Sequence, residues 1–148
     1  MGVAVKTQEH SFVIALKSTS SAGFGWYTTQ YSDTTLYNGR EATNAMLQNS
    51  GETAIAHKAN AYVFANGTTG YIGSRAECAI AYSHLEYINS ALNKVGGSSW
   101  TSESWTSTSY SNNSAYAYVF RSTGMGGQDK SVARGCRPLT ELPEGLEW

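Results

Sequence analysis

The feature that most constrains this sequence is a helix with both ends written in its residues. The Ser74 hydroxyl can accept from the backbone N–H three positions on while Glu77 reaches back to the Ser74 N–H, the reciprocal capping box of an S-x-x-E string. Ala81, Leu85, Ile88, Leu92 and Val95 then recur at steps of three and four on one face, and Gly96-Gly97 supplies residues suited to the left-handed helix end. The pattern predicts a helix over 75–94. After Gly97 the helical period disappears, and Ser, Thr, Asn and Tyr take over with few charges among them.

The rest of the chain is read around that helix. Residues 11–17 hold a continuous apolar run of β-formers and read as a buried strand. The Ser/Gly/Ala stretch 18–25 is a loop, with Trp26 and Tyr27 packing where it ends. Residues 40–48 suit a first helix, with Asn38-Gly39 before it and Asn49-Ser50-Gly51 after it. Past the capped helix, 105–109 and 115–121 are β-prone, with a polar tip over 110–114. Alternation puts Tyr116, Tyr118 and Phe120 on one side of the second strand and Ala117, Val119 and Arg121 on the other. Residues 124–128 read as a loop, 132–136 as the last strand, and Pro138 onward as a tail. Strands flanking two helices with no βαβ alternation define an α+β domain.

A chain of 148 residues fits a single domain, 1–148, within the roughly 100–200 residues expected of one. Net charge is −1 and no segment concentrates Lys or Arg, so no nucleic-acid or anionic-membrane partner is expected. The longest apolar run, 12–16, falls far short of the ~20 residues that span a bilayer. Neither a transmembrane segment nor the basic-then-apolar layout of a signal peptide is read in this chain.

No catalytic or metal constellation is expected, and no cofactor. His84 lacks a second histidine four positions on, and His10 and His57 have no carboxylate or cysteine neighbour at ligand spacing. The glycines of 67–73 match neither a dinucleotide fingerprint nor a phosphate loop. Cys78 and Cys136 lie outside metal spacing; two core thiols and a disulfide are both open.

What remains is 98–122, where Trp100, Trp105, Tyr110, Tyr116 and Tyr118 stand among Ser, Thr and Asn, with only Glu103 and Arg121 charged. Adaptable recognition surfaces use this vocabulary, because Tyr and Trp give rigid contact area and Ser and Asn give adjustable hydrogen bonds. The bland alternative is a Ser/Thr-rich hairpin that solvates a sheet edge. Two orientations are open: Tyr110, Tyr116 and Tyr118 as contact anchors, or Tyr116 and Tyr118 turned inward with Phe120.

From Gly70 to Gly97, the string G-Y-I-G-S-R-A-E-C-A-I-A-Y-S-H-L-E-Y-I-N-S-A-L-N-K-V-G-G resembles a bacterial and phage family with the C-type lectin fold. That family shows a G-x-L-P-S turn, a helix ending I-N-x-A-L-x-x-I-G-G, then Y-W-S-S-T-E-Y, an A-W-x-V-x-F strand and a closing V-R-P-V. The later pieces appear as Trp105-Thr106-Ser107-Thr108-Ser109-Tyr110, Ala115-Tyr116-Ala117-Tyr118-Val119-Phe120 and Gly135-Cys136-Arg137-Pro138-Leu139. Phe12 to Lys17 is similar to the opening strand and Gly39 to Thr43 to the first helix, so the resemblance covers most of the chain. Departures are Gly73 for Pro, Tyr116 for Trp and Ser109 for Glu. The resemblance implies a C-type lectin fold, with two helices packed on small antiparallel sheets and long loops between them.

Members of this fold serve as variable proteins of diversity-generating retroelements, whose adenine-directed mutagenesis diversifies AAY codons late in the gene. The resemblance therefore implies a variable, ligand-binding region over 98–138. Residues reachable from AAY codons there are Thr101, Ser102, Ser104, Ser109, Tyr110, Ser111, Asn112, Asn113, Tyr116, Ala117, Tyr118, Val119 and Arg121, with Trp100, Glu103 and Trp105 as framework. The function implied is non-enzymatic: a receptor- or adhesin-type module on a phage virion or bacterial surface, recognising a host-surface protein or other macromolecule. The alternative is a fixed-specificity structural or adhesin domain of a virion or surface appendage. A calcium-dependent sugar lectin would need E-P-N or Q-P-D and W-N-D strings, which are missing, and the formylglycine-generating relatives depend on active-site cysteines that nothing here pairs.

Overall fold

The computed structural model describes residues 2–143; Met1 and the last part of the expected tail, 144–148, lie outside the described residues. The architecture is α+β, as expected, with two three-stranded antiparallel sheets. The expected two helices are corrected to four among the described residues.

The first sheet joins the start of the described chain to its end. Strands β1 (Gly2–Lys6) and β2 (Ser11–Ala15) form a hairpin, and β6 (Leu139–Glu141) pairs with the other edge of β2. β2 is the apolar run read from the sequence, and Phe12, Ile14 and Ala15 are buried. β6 corrects the reading of a tail from Pro138. Segment 132–136, expected as the last strand, makes only isolated bridges, Ala22 with Arg134 and Ser104 with Gly135.

Helix α1 (Gly39–Asn49) falls where expected, and α2 (Ile55–Ala61) follows it unannounced. The long helix read over 75–94 is two helices, α3 (Arg75–Ser83) and α4 (Leu85–Lys94). They meet at His84, whose φ of −121° and ψ of 21° leave the helical region while its N–H turns to the Ala81 carbonyl. The apolar stripe survives the break, since Cys78, Ala81, Ile88 and Leu92 are all buried, although Val95 is exposed. The capping box at Ser74 and Glu77 is present as read.

Glu77 does more than cap. Its carboxylate is buried and accepts four hydrogen bonds: the Gly39 N–H at 3.0 Å, the Ser74 N–H at 3.1 Å, the Tyr71 hydroxyl at 2.7 Å and His10 Nε2 at 2.7 Å. It therefore joins the start of α1, the start of α3 and the β1–β2 turn. Burial alone raises a carboxyl, but the bonds from His10, Tyr71 and the Ser74 backbone overcome it and hold Glu77 below its ordinary value. No carboxylate stands at ligand spacing from His10 in the sequence, and the one it meets in the fold lies 67 residues away.

The second sheet is β3 (Ser104–Ser109), β4 (Tyr116–Arg121) and β5 (Gly124–Asp129), in that order. β5 corrects the loop expected over 124–128. β4 separates two apolar clusters: Phe120 packs with Trp100, Ile14 and Leu92, and Ala117 and Val119 pack with Trp105, Phe24 and Ile72. Arg137 ties the end of β2 to the segment 98–99 that follows α4. Its buried guanidinium donates to the carbonyls of Ala15 (3.1 Å), Leu16 (2.9 Å), Ser98 (3.0 Å) and Ser99 (3.1 Å).

Candidate functional site

The β3–β4 hairpin carries the residues singled out from the sequence, and burial divides them. Every residue of β3 is buried. Ser104 Oγ accepts from Trp100 Nε1 at 3.1 Å, Thr106 Oγ1 donates to the Tyr118 carbonyl at 2.9 Å, and Thr108 Oγ1 accepts the Arg75 N–H at 3.0 Å. The Ser109 N–H donates to the Tyr31 carbonyl at 2.8 Å. A strand of Ser and Thr is thus a buried strand rather than a solvated edge, with the hydroxyls of Ser104, Thr106 and Thr108 bonded to neighbouring elements and that of Ser107 buried without a partner among the described residues. Ser104, Ser109, Ala117 and Val119 are each 1% exposed or less, which corrects their reading as ligand contacts. Ser and Thr are polar enough to read as surface, and only tertiary packing reveals otherwise.

β4 resolves the two orientations left open. Ala117 and Val119 point into the core, while Tyr116 is 38% exposed and Tyr118 is half-buried on the opposite face. Phe120 shares that face but is covered, stacked on Trp100 with ring centroids 4.2 Å apart. Tyr110 lies 4.5 Å from Tyr118 and 5.9 Å from Tyr116, centroid to centroid, so the three rings form one row. Ser111, Asn112 and Asn113 are exposed at the tip, and Tyr110, Asn112, Asn113, Tyr116 and Gly127 line an open hollow. Gly127 is part of this arrangement: a Cβ there would overlap the Tyr110 hydroxyl, so the glycine-rich β5 lets the ring lie across it.

Thr101, Ser102 and Arg121 belong to a different place. Thr101 and Ser102 are exposed before β3 begins, and Arg121 ends β4 on the face of Ala117 and Val119. β3 is six residues long, so at about 3.3 Å per residue this end lies about 20 Å from the tip. Arg121 donates to Glu103 Oε1 at 3.0 Å and Arg134 to Glu103 Oε2 at 2.9 Å. The structure thus brings together Tyr110, Ser111, Asn112, Asn113, Tyr116 and Tyr118, and leaves Thr101, Ser102 and Arg121 apart from them.

The residues expected as framework are structural. Trp100 and Trp105 are each 1% exposed; Trp105 Nε1 donates to the Ala22 carbonyl at 3.0 Å and its ring meets Phe24 edge-on at 5.3 Å. Glu103 holds the two arginines.

Sequence reasoning missed the floor of the face. Lys130 is 1% exposed, and its ammonium donates to the carbonyls of Trp26 (2.9 Å) and Thr28 (3.2 Å) while lying 4.6 Å from the Phe24 ring centroid. Its backbone N–H bonds the Ala115 carbonyl, so this one residue fastens the 26–28 loop to the foot of the hairpin tip. Burial pushes the ammonium down to about 8. Arg75, at the start of α3, was also missed; its guanidinium carbon sits 5.0 Å from the Tyr118 ring centroid.

Cys78 and Cys136 are free and buried, in different apolar clusters. Burial raises both thiols, Cys136 to about 12 against the opposing charge of Arg137. Among the described residues no group of three His, Cys, Asp or Glu side chains is placed to hold a metal ion, and no helix is long and apolar enough to cross a membrane. Comparisons with family models, curated proteins and solved structures return no match for this chain.

Proposed function

We propose that this chain is a non-enzymatic ligand-binding module of the C-type lectin type, a variable protein of a diversity-generating retroelement, displayed on a phage virion or bacterial surface. Its ligand is a host-surface protein or other macromolecule. The binding face is the row Tyr110, Tyr116 and Tyr118 with the tip Ser111, Asn112 and Asn113. The pairing of β2 with β6, which brings the two ends of the described chain into one sheet, and the separate sheet bearing the hairpin support the fold assignment. The buried, proton-retaining thiols support the absence of cysteine chemistry.

One observation carries the functional reading. Within a hairpin whose remaining side chains are largely buried, the residues reachable from AAY codons that gather in one place are those whose side chains stand clear of the core. A surface of this kind tolerates exchange of its side chains, because substitutions away from the core change stability by about 0.5 kcal/mol or less. The rings are held by packing from beneath, which lowers the ordering cost of binding.

Sequencing the gene segment for residues 97–138 across a natural population tests this. Substitutions concentrated at Tyr110, Ser111, Asn112, Asn113, Tyr116 and Tyr118, with Trp100, Glu103 and Trp105 constant, are expected. Variation spread evenly, or none, would sink the diversified-receptor reading in favour of a fixed-specificity structural or adhesin domain.

A further inference from the structure

Arg75 stands where helix electrostatics disfavours a cation. It is the first residue of α3, directly after the Ser74 cap, where the helix presents partial positive charge. The carboxylate of that first turn, Glu77, is bonded to Gly39, Ser74, Tyr71 and His10, and no described carboxylate is bonded to the Arg75 guanidinium. Among the described residues, Arg40 is bonded to Glu141, Arg121 and Arg134 to Glu103, and Arg137 to backbone carbonyls. The Arg75 guanidinium makes no hydrogen bond within the described chain, and its Nε is buried and unpartnered. What holds the group is the Tyr118 ring, 5.0 Å from the guanidinium carbon to the centroid. Stacking on an aromatic face fixes the plane of a guanidinium and leaves its edge free to donate. Tyr118 in turn leads along the row to Tyr110 and Tyr116.

The geometry points to Arg75 as a fixed cationic anchor for the carboxylate of an Asp or Glu side chain on a protein ligand lying along the Tyr118–Tyr110–Tyr116 row. This rests on the reading of that row as a binding face. The planar fork of a single guanidinium matches one carboxylate with two parallel N–H bonds. A phosphate dianion would call for a second cation on the same face. Arg121 projects from the other face of β4 to Glu103, and Lys130 is committed to the carbonyls of Trp26 and Thr28. Arg75 lies outside 98–138, so its identity stays constant while the tip is exchanged, and variants that keep Tyr118 to hold it share an acidic residue in their ligands while differing elsewhere.

The test pans a displayed random-peptide library against the full chain, then measures the recovered peptides by fluorescence polarisation on wild type, Arg75→Gln, Arg75→Lys and the double variant Tyr110→Ala, Tyr116→Ala. Peptides that need the two tyrosines are expected to carry an enriched Asp or Glu. They should weaken about tenfold or more on Arg75→Gln and less on Arg75→Lys. Replacing that acid by its amide should weaken binding to wild type but not to Arg75→Gln. The Arg75 backbone bond to Thr108 survives substitution, and thermal unfolding of each variant confirms the fold. Tyrosine-dependent peptides without acidic enrichment, or an acid-to-amide change felt equally on Arg75→Gln, would overturn the anchor and leave the binding face standing. Recovery of no peptide, or only of peptides indifferent to the tyrosines, would overturn both.

Discussion

Glu77→Ala is the substitution whose cost can be worked most directly from the geometry. It leaves four donors facing a void: the Gly39 and Ser74 N–H groups, the Tyr71 hydroxyl and His10 Nε2. A hydrogen bond to a charged group contributes about 1.5–3 kcal/mol, yet four bonds to one carboxylate are not additive. Removing one member of a buried ionic network costs about 3–5 kcal/mol, and about 4 kcal/mol is expected here. For a chain of this size that lowers Tm by about 8–16 °C. Glu77→Gln keeps an oxygen for the two backbone donors but turns an amide toward Tyr71 and His10, so it should cost about 2 kcal/mol. Urea unfolding followed by tryptophan fluorescence measures both. The linkage sign is definite: a carboxyl held below its ordinary value contributes stability above the unfolded pKa of about 4.3, and that contribution is lost as pH falls through the folded value. The acid limb of the stability profile should therefore be shallower in Glu77→Gln than in wild type. A loss under about 1 kcal/mol for Glu77→Ala, or identical acid limbs, would refute the description of Glu77 as the joint between α1, α3 and the β1–β2 turn.

Lys130 acts in the same sense, at higher pH. Its folded value of about 8 lies below the ordinary 10.5, so the unfolded chain binds the extra proton and this group's contribution to stability rises between those pH values. Lys130→Met should flatten that slope in urea titrations at pH 7.5 and 9.5, and a slope unchanged by the substitution would count against the burial argument. Gly127→Ala should displace the Tyr110 ring without unfolding the domain, changing the near-UV circular dichroism while Tm moves by only a few degrees; an unchanged spectrum would mean the ring does not lie on β5. Trp100→Ala removes the Phe120 stack and the Ser104 bond and should cost about 3–5 kcal/mol by chemical denaturation.

The capped helix, the opening strand and the β3–β4 hairpin were legible because each carries its own local signal: a capping box, an apolar run, and β-prone residues around a polar tip. The break at His84 was not, because Ala81, Ile88 and Leu92 keep the helical period across it and only the backbone of one residue departs. β5 was hidden by its glycines, which are depleted from strands in general but here make room for the Tyr110 hydroxyl. β1 and β6 are short and depend on β2 for their pairing. Within the candidate site, the residue types pointed to the hairpin, and the exposed tyrosine row lies on it. The burial of Ser104 and Ser109 could not be read, since their hydrophilic side chains face elements distant in sequence. Arg75 did leave a trace: a basic residue directly after a helix cap runs against the helix dipole.

The Arg137 guanidinium also bears on the timing of folding. Its bonds to Ala15 and Leu16 span more than 120 residues and those to Ser98 and Ser99 nearly 40. On a ribosome, the β1–β2 hairpin and α1 to α4 emerge well before residue 137, yet the carbonyls it satisfies must wait for it. The strand that completes the first sheet, β6, follows only two residues later. Closure is therefore a late, long-range event, of the kind that slows folding. A nascent chain stopped short of Arg137 is expected to remain sensitive to protease even when the whole tyrosine hairpin has already been made.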